Sequence, residues 1–249
     1  MTEATRRAAI VGVGPGWSKS LAMWLAKSCW SVALLSRNEK QLAEFVTDLA
    51  KLQSDPDAKI VYREADASSP DALQAALDWA RDSLGGILDV LNYNAARVAD
   101  SKITDLTPSE FELYVRVSAV GTLVAGQWFT RNVRKDFIRR SQDQHTSGGE
   151  YPLLLITGGV LDKHPEPTLA SLSAAKAASQ TFNRLFAKTL PDECDILVCM
   201  PLITDRIMDA ETGGFRPEFH PDRIIEKVFV PFFADRLNGK DGWVVERYL

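Results

Sequence analysis

The sequence predicts a single α/β domain in which a parallel, doubly wound β-sheet carries helices on both faces. Short apolar runs alternate along the chain with longer amphipathic stretches, which is the pattern of repeated strand–helix–strand units. Three of the runs, VALL, LLLI and ILVC, contain no residue suited to a solvated face, as expected of strands buried on both sides. A chain of 249 residues is long enough to bury the core of one such domain. We therefore assign residues 1–249 to one domain.

The position of each element is predicted from the spacing of the apolar residues and from the turn residues between them. Predicted strands cover residues 7–13, 31–35, 59–64, 87–91, 153–156 and 195–200, with an edge strand at 243–246. Predicted helices cover residues 17–28, 39–52, 70–82, 108–139, 169–190 and 221–233. The polar stretch RRSQDQHTSGGE predicts a flexible inserted loop at residues 139–150, between the longest helix and the fifth strand.

The charge and the cysteine content narrow the class of protein. With 29 Lys and Arg against 33 Asp and Glu, the net charge of −4 argues against nucleic acid or a membrane surface as a partner, because both require a basic face. No stretch approaches the ~18 apolar residues of a membrane span, and the first residues lack the apolar core of a signal peptide. The three cysteines and three histidines have neither disulfide-framework nor metal-ligand spacing. We expect a cytoplasmic protein without a metal site.

A glycine-rich turn follows the first predicted strand and leads into a helix. It reads Gly12-Val13-Gly14-Pro15-Gly16-Trp17-Ser18. Glycines in this position let the backbone approach a pyrophosphate, and the start of the helix supplies free N–H groups and a partial positive charge. The turn therefore predicts a dinucleotide site, although a purely structural turn would also use glycine.

The residues at the end of the second predicted strand indicate which dinucleotide is bound. Folds that select NAD place an acid here to bind the ribose 2′-hydroxyl, whereas this chain has Ser36-Arg37-Asn38. A guanidinium matches a phosphate through two hydrogen bonds, so we predict NADP(H) as the cofactor. A solvated arginine at a strand end is the alternative.

These features resemble the short-chain dehydrogenase/reductase family, whose domain is of the Rossmann type, over nearly the whole chain. Asp66 matches the acid that contacts adenine, Asn94-Ala95-Ala96 matches the family's Asn-Ala-Gly turn, and Pro201 followed by Thr204 matches the stretch that covers the nicotinamide. The predicted cofactor site comprises Gly12, Gly14, Gly16, Trp17, Ser18, Ser36, Arg37, Asn38, Asp66, Ala67, Asn94, Ala95, Ala96, Lys176, Pro201 and Thr204.

The family's catalytic tetrad is largely replaced. Ser118 stands for its asparagine, Gly158 for its serine and Leu172 for its tyrosine, and only Lys176 remains. The resemblance implies that Lys176 holds the ribose hydroxyls, while an exposed helix lysine is the alternative. Since the tyrosine donates the proton in carbonyl reduction, the family's proton relay is absent. We predict Ser118, Gly158 and Leu172, with Arg97 after the fourth strand, as residues of the substrate pocket.

The loop after the fifth strand contains another candidate general acid. Pro165 and Pro167 hold Glu166 in extended backbone, at the strand ends where ligands bind in doubly wound folds. We predict Glu166 as a general acid or base, with a surface acid in a proline turn as the alternative.

The Pro-Glu-Pro stretch also resembles the Pro-Asp-Pro segment of fungal bifunctional reductase/Diels–Alderases of indole-alkaloid biosynthesis, which are members of the same family that lack the tyrosine. That resemblance implies reduction of an iminium-type intermediate by NADPH and control of an intramolecular [4+2] cycloaddition. It also implies a functional arginine, for which Arg131 has the right separation from Glu166, while Arg97 and Arg116 are closer to the expected pocket.

The chemistry of iminium reduction agrees with the loss of the tyrosine. A carbonyl becomes an alkoxide that needs a proton donor, whereas hydride addition to an iminium neutralises an existing charge. Trp128 and Phe215 are candidate pocket aromatics, and residues 203–217 a candidate lid. The sequence leaves open an ordinary carbonyl oxidoreductase with another acid, and a non-catalytic NADP-binding scaffold or sensor. The predicted ligand is a small-molecule substrate, and the family resemblance implies a homodimer or homotetramer.

Overall fold

The structure, a computed structural model, describes residues 6–143, 150–205, 207–209, 211–238 and 243–249, with the side chains of residues 134–143 left out. Within these residues eight strands form one sheet, and the paired strands are parallel. The strands are β1 (Arg7–Val11), β2 (Ser31–Ser36), β3 (Ile60–Glu64), β4 (Val90–Tyr93), β5 (Leu153–Ile156), β6 (Gly158–Gly159), β7 (Leu197–Ile203) and β8 (Glu246–Tyr248). The strand order is β3-β2-β1-β4-β5-β7-β6, and β8 also pairs with β7.

Helices cover both faces of this sheet, as the alternating pattern predicts. They are α1 (Trp17–Lys27), α2 (Glu39–Ala50), α3 (Pro70–Ser83), α4 (Pro108–Val115), α5 (Gly121–Asp143), α6 (Ala170–Cys194), α7 (Pro221–Ile224) and α8 (Val230–Asn238). One core contains the buried faces of α3, α5 and the end of α6, and the other contains those of α1, α2, α7 and α8. The predicted doubly wound α/β fold is confirmed.

Several boundaries differ from the predicted ones for local reasons. The fourth strand begins at Val90, three residues later than predicted. The Asp89 carboxylate accepts a hydrogen bond from the Arg7 N–H at 2.8 Å, and the pairing of β4 with β1 begins at the next residue. β7 continues to Ile203 because it gains β6 and β8 as partners. α6 continues through Pro191 to Cys194, and the chain then turns at Asp195, whose φ is 54°.

The predicted long helix is interrupted by a π-helical turn at Arg116–Val120. The buried Tyr93 hydroxyl donates to the Val117 carbonyl at 2.5 Å, so that this carbonyl has a partner outside the helix. A Cβ on Gly121 would lie 1.8 Å from the Tyr93 hydroxyl oxygen, which is why a glycine follows the turn. Burial raises the pKa of Tyr93, so its hydroxyl remains a donor. Ser118, within this turn, is buried.

The predicted loop at residues 139–150 overlaps the end of α5, which continues to Asp143. Residues 144–149 lie outside the described residues, so the remainder of that prediction stays a prediction. None of the described helices combines the length and the apolar content needed to cross a membrane.

Candidate cofactor and substrate site

The crevice for a ligand lies where the strand order reverses, between the carboxyl ends of β1 and β4. The glycine turn after β1 and the Asn94 turn after β4 touch at this point. Gly12 has a φ of 84°, and a Cβ there would lie 2.4 Å from the Ala95 nitrogen. The Gly12 N–H donates to the Leu35 carbonyl at 2.8 Å, and the Asn94 amide donates to the Gly12 carbonyl at 3.1 Å. Gly12 thus joins three strand ends at the crevice.

Ser18 closes the glycine turn in place of the family's third glycine. Its hydroxyl accepts a hydrogen bond from the Gly14 N–H at 2.9 Å. Over the described part of the chain, Gly16 is the N-cap of α1, no side chain caps the start of the helix, and no acid occupies its first turn. The amide groups at the start of a long helix are suited to an anion such as a pyrophosphate. The Trp17 ring is buried 5.2 Å from the Phe229 ring, so only its backbone can take part.

The end of the crevice beside β2 combines one hydrogen-bonded acid with one exposed cation. Asp66 accepts hydrogen bonds from the Ser68 N–H at 2.9 Å and the Ser68 hydroxyl at 2.8 Å. The pKa of Asp66 is lowered, chiefly by the Ser68 backbone N–H and further by the charge of Arg37. Arg37 is exposed, whereas the Asn38 side chain caps α2 by accepting from the Gln41 N–H at 3.1 Å. Arg37 and Asp66 therefore occupy the same corner of the site.

Ser36 and Ala67 take supporting positions at this end. The Ser36 hydroxyl lies 3.4 Å from the Asn38 N–H, which donates to it, and Ala67 is buried against the core. Ser36 and Ala67 thus add no charge to this end of the crevice.

Lys176 reaches from α6 to the end of β5. Its Nζ donates to the Thr157 carbonyl at 2.9 Å, and its side chain is half-buried. Burial lowers the pKa of Lys176 to about 8. The residue is therefore not a solvated surface lysine, and its position suits the ribose hydroxyls of a dinucleotide.

Buried hydroxyls surround this strand end. The side-chain oxygens of Ser118 and Thr157 are buried and have no hydrogen-bond partner among the described residues. Unpartnered buried polar atoms are rare in proteins and commonly mark a ligand or water site. Together with the open start of α1, they indicate that the residues present fit a nicotinamide dinucleotide.

The position predicted to correspond to the family's tyrosine is apolar and closed to solvent. Leu172 is buried in a small cluster with Tyr114 and Ala175, against which Ala96 and Leu169 pack. Gly158 is buried in β6, where its partner in the ladder is Leu202. Gly158 and Leu172, the residues predicted to stand for the serine and the tyrosine, thus have no side-chain proton donor.

Arg97 brings a guanidinium next to this cluster. Its Cζ lies 5.6 Å from the centre of the Tyr114 ring, and its Nε is buried with no hydrogen-bond partner in the described chain. The Tyr114 hydroxyl donates to the Ala99 carbonyl at 3.2 Å. Arg97 and Tyr114 thereby bring the segment after β4 against the Leu172 cluster.

Glu166 lies in the loop that precedes α6. Its N–H donates to the Ser173 hydroxyl and its carboxylate accepts from the Thr168 hydroxyl, both at 3.1 Å. The loop is tied to the segment after β4, because the Ser101 N–H donates to the Thr168 carbonyl at 2.8 Å. The half-buried Glu166 and Arg97 are therefore carried by adjoining segments.

Arg131 lies elsewhere. It is exposed on α5, next to Asn132, whose amide oxygen accepts from Arg81 near the end of α3 at 2.8 Å. Since α3 leads into the start of β4, Arg131 lies near the amino ends of the strands, whereas Glu166 follows their carboxyl ends. Trp128 is buried on the same side of α5 and donates to Asp78 at 3.1 Å, so it belongs to the core and not to the pocket.

The segment after β7 covers the crevice in part. The Thr204 N–H donates to the Leu249 carbonyl at 3.0 Å and its hydroxyl binds the same oxygen, while Pro201 pairs with Arg247. Phe215, which bridges to Met208, extends back to the glycine turn, where its ring is 4.0 Å from the Cβ position of Gly16. Phe215 therefore meets the pyrophosphate turn rather than the Leu172 cluster.

Tyr114 and Thr157 are parts of this region that the sequence patterns do not single out. Tyr114 precedes Ser118 by four residues on a predicted helix, and that spacing is the signal that could have placed it beside the pocket. Thr157 directly follows a predicted strand, which is the corresponding signal for a crevice residue.

Comparisons with known proteins agree with this architecture. The family model described as short chain dehydrogenase matches residues 6–213. Versicolorin reductase stcU of Emericella nidulans is 27% identical over 180 residues, which are 72% of this chain and 61% of that protein. An alcohol dehydrogenase from Thermococcus sibiricus, complexed with 5-hydroxy-NADP, has a TM-score of 0.74 and 21% identity, with 99% of this chain and 96% of that chain covered.

An NADH-dependent reductase, A1-R', complexed with NAD, has a TM-score of 0.75 at 16% identity, with 98% of this chain and 94% of that chain covered. Structural likeness at these identities shows the fold alone, and the alignment with stcU spans about three fifths of the relative's length, 61%. The family model, however, covers most of this chain, from β1 to the residues before Phe215. This chain belongs to the short-chain dehydrogenase family, whose members are oxidoreductases that bind nicotinamide cofactors.

Proposed function

We propose that this protein is an NADP(H)-dependent reductase of specialised metabolism that reduces an imine or iminium. The observation that carries the proposal is the contrast between Lys176 and Leu172, one turn apart on α6. Lys176 is held at the crevice by the Thr157 carbonyl, whereas Leu172 is buried in an apolar cluster. The groups suited to holding a cofactor are kept, while the proton donor of carbonyl reduction is lost.

The choice of NADP(H) rests on Arg37. It is exposed at the end of β2, and its charge acts on Asp66 in the same corner. A 2′-phosphate would bring two negative charges beside this guanidinium and form charge-assisted hydrogen bonds with it. Both an NADP-bound and an NAD-bound structure share this fold, so the preference is argued from Arg37 alone.

The choice of an imine rests on charge balance. When bound, the cofactor supplies a hydride, and its addition to an iminium carbon gives a neutral amine without forming an oxyanion. The chain then has to position the substrate and exclude water, for which the apolar cluster around Leu172 and Tyr114 is suited. Glu166 supplies a negative charge at the edge of the same crevice, where it favours a cationic substrate over a neutral one.

Two further parts of the proposal come from relatives. The partial similarity to versicolorin reductase supports a role in specialised metabolism. The resemblance to reductase/Diels–Alderases supports a second role, in which the pocket directs an intramolecular cycloaddition of the reduced product to a bridged indole alkaloid. Glu166 is the residue proposed to take part. Arg131 lies near the amino ends of the strands and Arg116 is exposed on the π-helical turn, so Arg97 is the arginine proposed for the crevice.

The test is steady-state oxidation of NADPH with a panel of cyclic imines and a matched panel of ketones. We expect imine turnover at least tenfold above ketone turnover, with NADPH preferred to NADH. Ketone turnover at an equal or higher rate would instead show a carbonyl oxidoreductase with another acid. Tight NADPH binding without turnover on either panel would show a non-catalytic NADP-binding scaffold.

A further inference from the structure

We propose that this protein has a second ligand site, a cleft at the amino ends of the strands that binds a small aromatic carboxylate. The cleft lies at the other end of the sheet from the dinucleotide crevice. The inference therefore does not rest on the proposed function, and each can fail without the other.

The cleft is formed by the end of α1, by residues that precede three strands, and by α8. Arg6, Trp30 and Glu150 come shortly before β1, β2 and β5. The volume of the cleft is about 240 Å³. Since an apolar cavity of about 150 Å³ can hold benzene, this cleft has room for a benzene ring with a short acidic substituent.

Aromatic side chains form the apolar wall of the cleft. The centre of the Phe233 ring lies 4.8 Å from that of Trp24 and 5.5 Å from that of Trp30, with the ring planes at 56° and 90°. Trp30 and Phe233 are buried, and Trp24 is half-buried. Rings in tilted and edge-to-face arrangements favour the packing of a further aromatic ring against them.

Arg236 supplies a guanidinium that is 1% exposed. Its Nε donates to the Tyr151 carbonyl at 2.9 Å, and its Cζ lies 5.2 Å from the centre of the Trp30 ring. Its two terminal nitrogens, Nη1 and Nη2, are buried and make no well-directed hydrogen bond within the described chain. This edge of a guanidinium is suited to a carboxylate, which it binds through two parallel hydrogen bonds.

The charges that face Arg236 compensate it only in part. Among the described residues that line the cleft, Glu150 is the one acid, and it is shared between two guanidiniums. One oxygen of Glu150 lies 2.8 Å from Arg236 Nη1, and the other lies 3.6 Å from Arg6 Nη1. Asp89 lies farther away, at 3.8 Å from Arg236 Nη2. The pKa of Arg236 is lowered, chiefly by burial, although Glu150 and Asp89 act in the opposite direction.

These features define the chemistry of the ligand. Its ring packs against Trp24 and Phe233, and its carboxylate takes the place of Glu150 at the terminal nitrogens of Arg236. The pairing of Glu150 with Arg236 is close but poorly directed, so a ligand carboxylate that forms two well-directed hydrogen bonds can displace it. A neutral aromatic ligand would gain the apolar contacts alone.

Direct binding tests the site, with phenylacetate as the probe and phenylacetamide as its neutral counterpart of nearly the same shape. Titration calorimetry is performed on the full chain with and without saturating NADPH. We expect a Kd for phenylacetate of about 1 mM or below, and binding roughly tenfold or more tighter than that of phenylacetamide. NADPH should leave this Kd within about twofold, because the two sites lie at opposite ends of the strands.

Substitutions locate the site. Ala234→Trp fills the cleft from its exposed side and should weaken phenylacetate binding by roughly tenfold or more, whereas Thr104→Trp, an exposed residue outside the cleft, should not. Glu150→Gln should tighten binding by about threefold or more, because it removes the competing carboxylate. Arg236→Met should abolish the preference for the acid over the amide. If Arg236→Met does not fold, the other substitutions still decide the question.

The contrary results are distinct. Equal Kd values for phenylacetate and phenylacetamide, or no binding of either, would overturn the site. Binding that is unchanged by Ala234→Trp, or that NADPH abolishes, would place the probe elsewhere and overturn it as well. Weaker binding in Glu150→Gln would refute the exchange of one carboxylate for another at Arg236.

Discussion

The two halves of the crevice are held together by different kinds of contact. In the dinucleotide half, polar contacts join separate segments: the Asn94 amide binds the Gly12 carbonyl, and Ser68 binds the Asp66 carboxylate. In the substrate half, Leu172 is buried among apolar groups, at the position predicted to correspond to the family's tyrosine. Cofactor binding and proton transfer are therefore expected to depend on different residues of this fold.

The separation has a physical cause. Pyrophosphate recognition uses backbone N–H groups and a turn geometry that only Gly12 is required to supply, so it tolerates changes elsewhere. Proton transfer uses particular side-chain atoms, and a single substitution such as leucine for tyrosine removes it. The following predictions test each half, beginning with the largest expected effect.

Gly12→Ala should disrupt the dinucleotide half. The new Cβ would lie 2.4 Å from the Ala95 backbone nitrogen, in a residue whose φ is 84°. We expect the free energy of unfolding to fall by about 3 kcal/mol or more and NADPH binding to be lost. Gly14→Ala is the matched control, since no atom lies within 4 Å of its Cβ position. Chemical denaturation and NADPH titration measure both, and equal affinity in the two variants would contradict the prediction.

Lys176→Met should alter the pH dependence of stability. The pKa of Lys176 is lowered from 10.5 to about 8, so below pH 8 the folded protein carries a charged amine at the cost of its desolvation. At ~1.4 kcal/mol per pKa unit, less the lost hydrogen bond to Thr157, we expect the variant to be more stable by about 2 kcal/mol at pH 7.

The sign reverses the usual lysine case, because the folded pKa lies below the unfolded one. Between pH 8 and 10.5 the unfolded chain binds more protons at Lys176, so the wild type regains stability as the pH rises and the gap closes. Denaturant titrations of both proteins from pH 6 to about 10.5 measure the difference. A gap that stays constant over this range would contradict the lowered pKa.

The architecture and the location of the dinucleotide half follow largely from the sequence, whereas the packing in the substrate half does not. Strand–helix alternation and the Gly12 turn depend on local patterns, and these predict the sheet and its crevice. The fit of Leu202 against Gly158 joins residues 44 positions apart, and no local pattern reports it. Arg131 illustrates the same limit, because its spacing along the chain suggests Glu166 as a partner, and the fold places that residue beyond the opposite ends of the strands.

Arg37→Gln should change cofactor preference without changing the fold. The side chain is exposed, and its proposed partner is the 2′-phosphate, which NADH lacks. Loss of charge-assisted hydrogen bonds worth about 1.5–3 kcal/mol should raise the Kd for NADPH by roughly 10- to 100-fold and leave the Kd for NADH within about twofold. Lys40→Gln, at the exposed start of α2, is the control. Equal weakening of both cofactors would refute the role of Arg37.

Glu166→Gln should have the smallest effect. It tests whether a negative charge contributes to substrate turnover in the substrate half. Glutamine keeps the length of the side chain and leaves the N–H of residue 166 free to donate to Ser173, so the loop should keep its shape. A half-exposed carboxylate near a cationic substrate contributes about 1 kcal/mol, and we therefore expect imine kcat/KM to fall by about fivefold, less at high salt. Asp105→Asn, an exposed acid in the segment before α4, should leave the rate unchanged. An unchanged rate and unchanged product stereochemistry in Glu166→Gln would remove the residue from the mechanism and leave positioning by apolar contacts as the contribution of the substrate half.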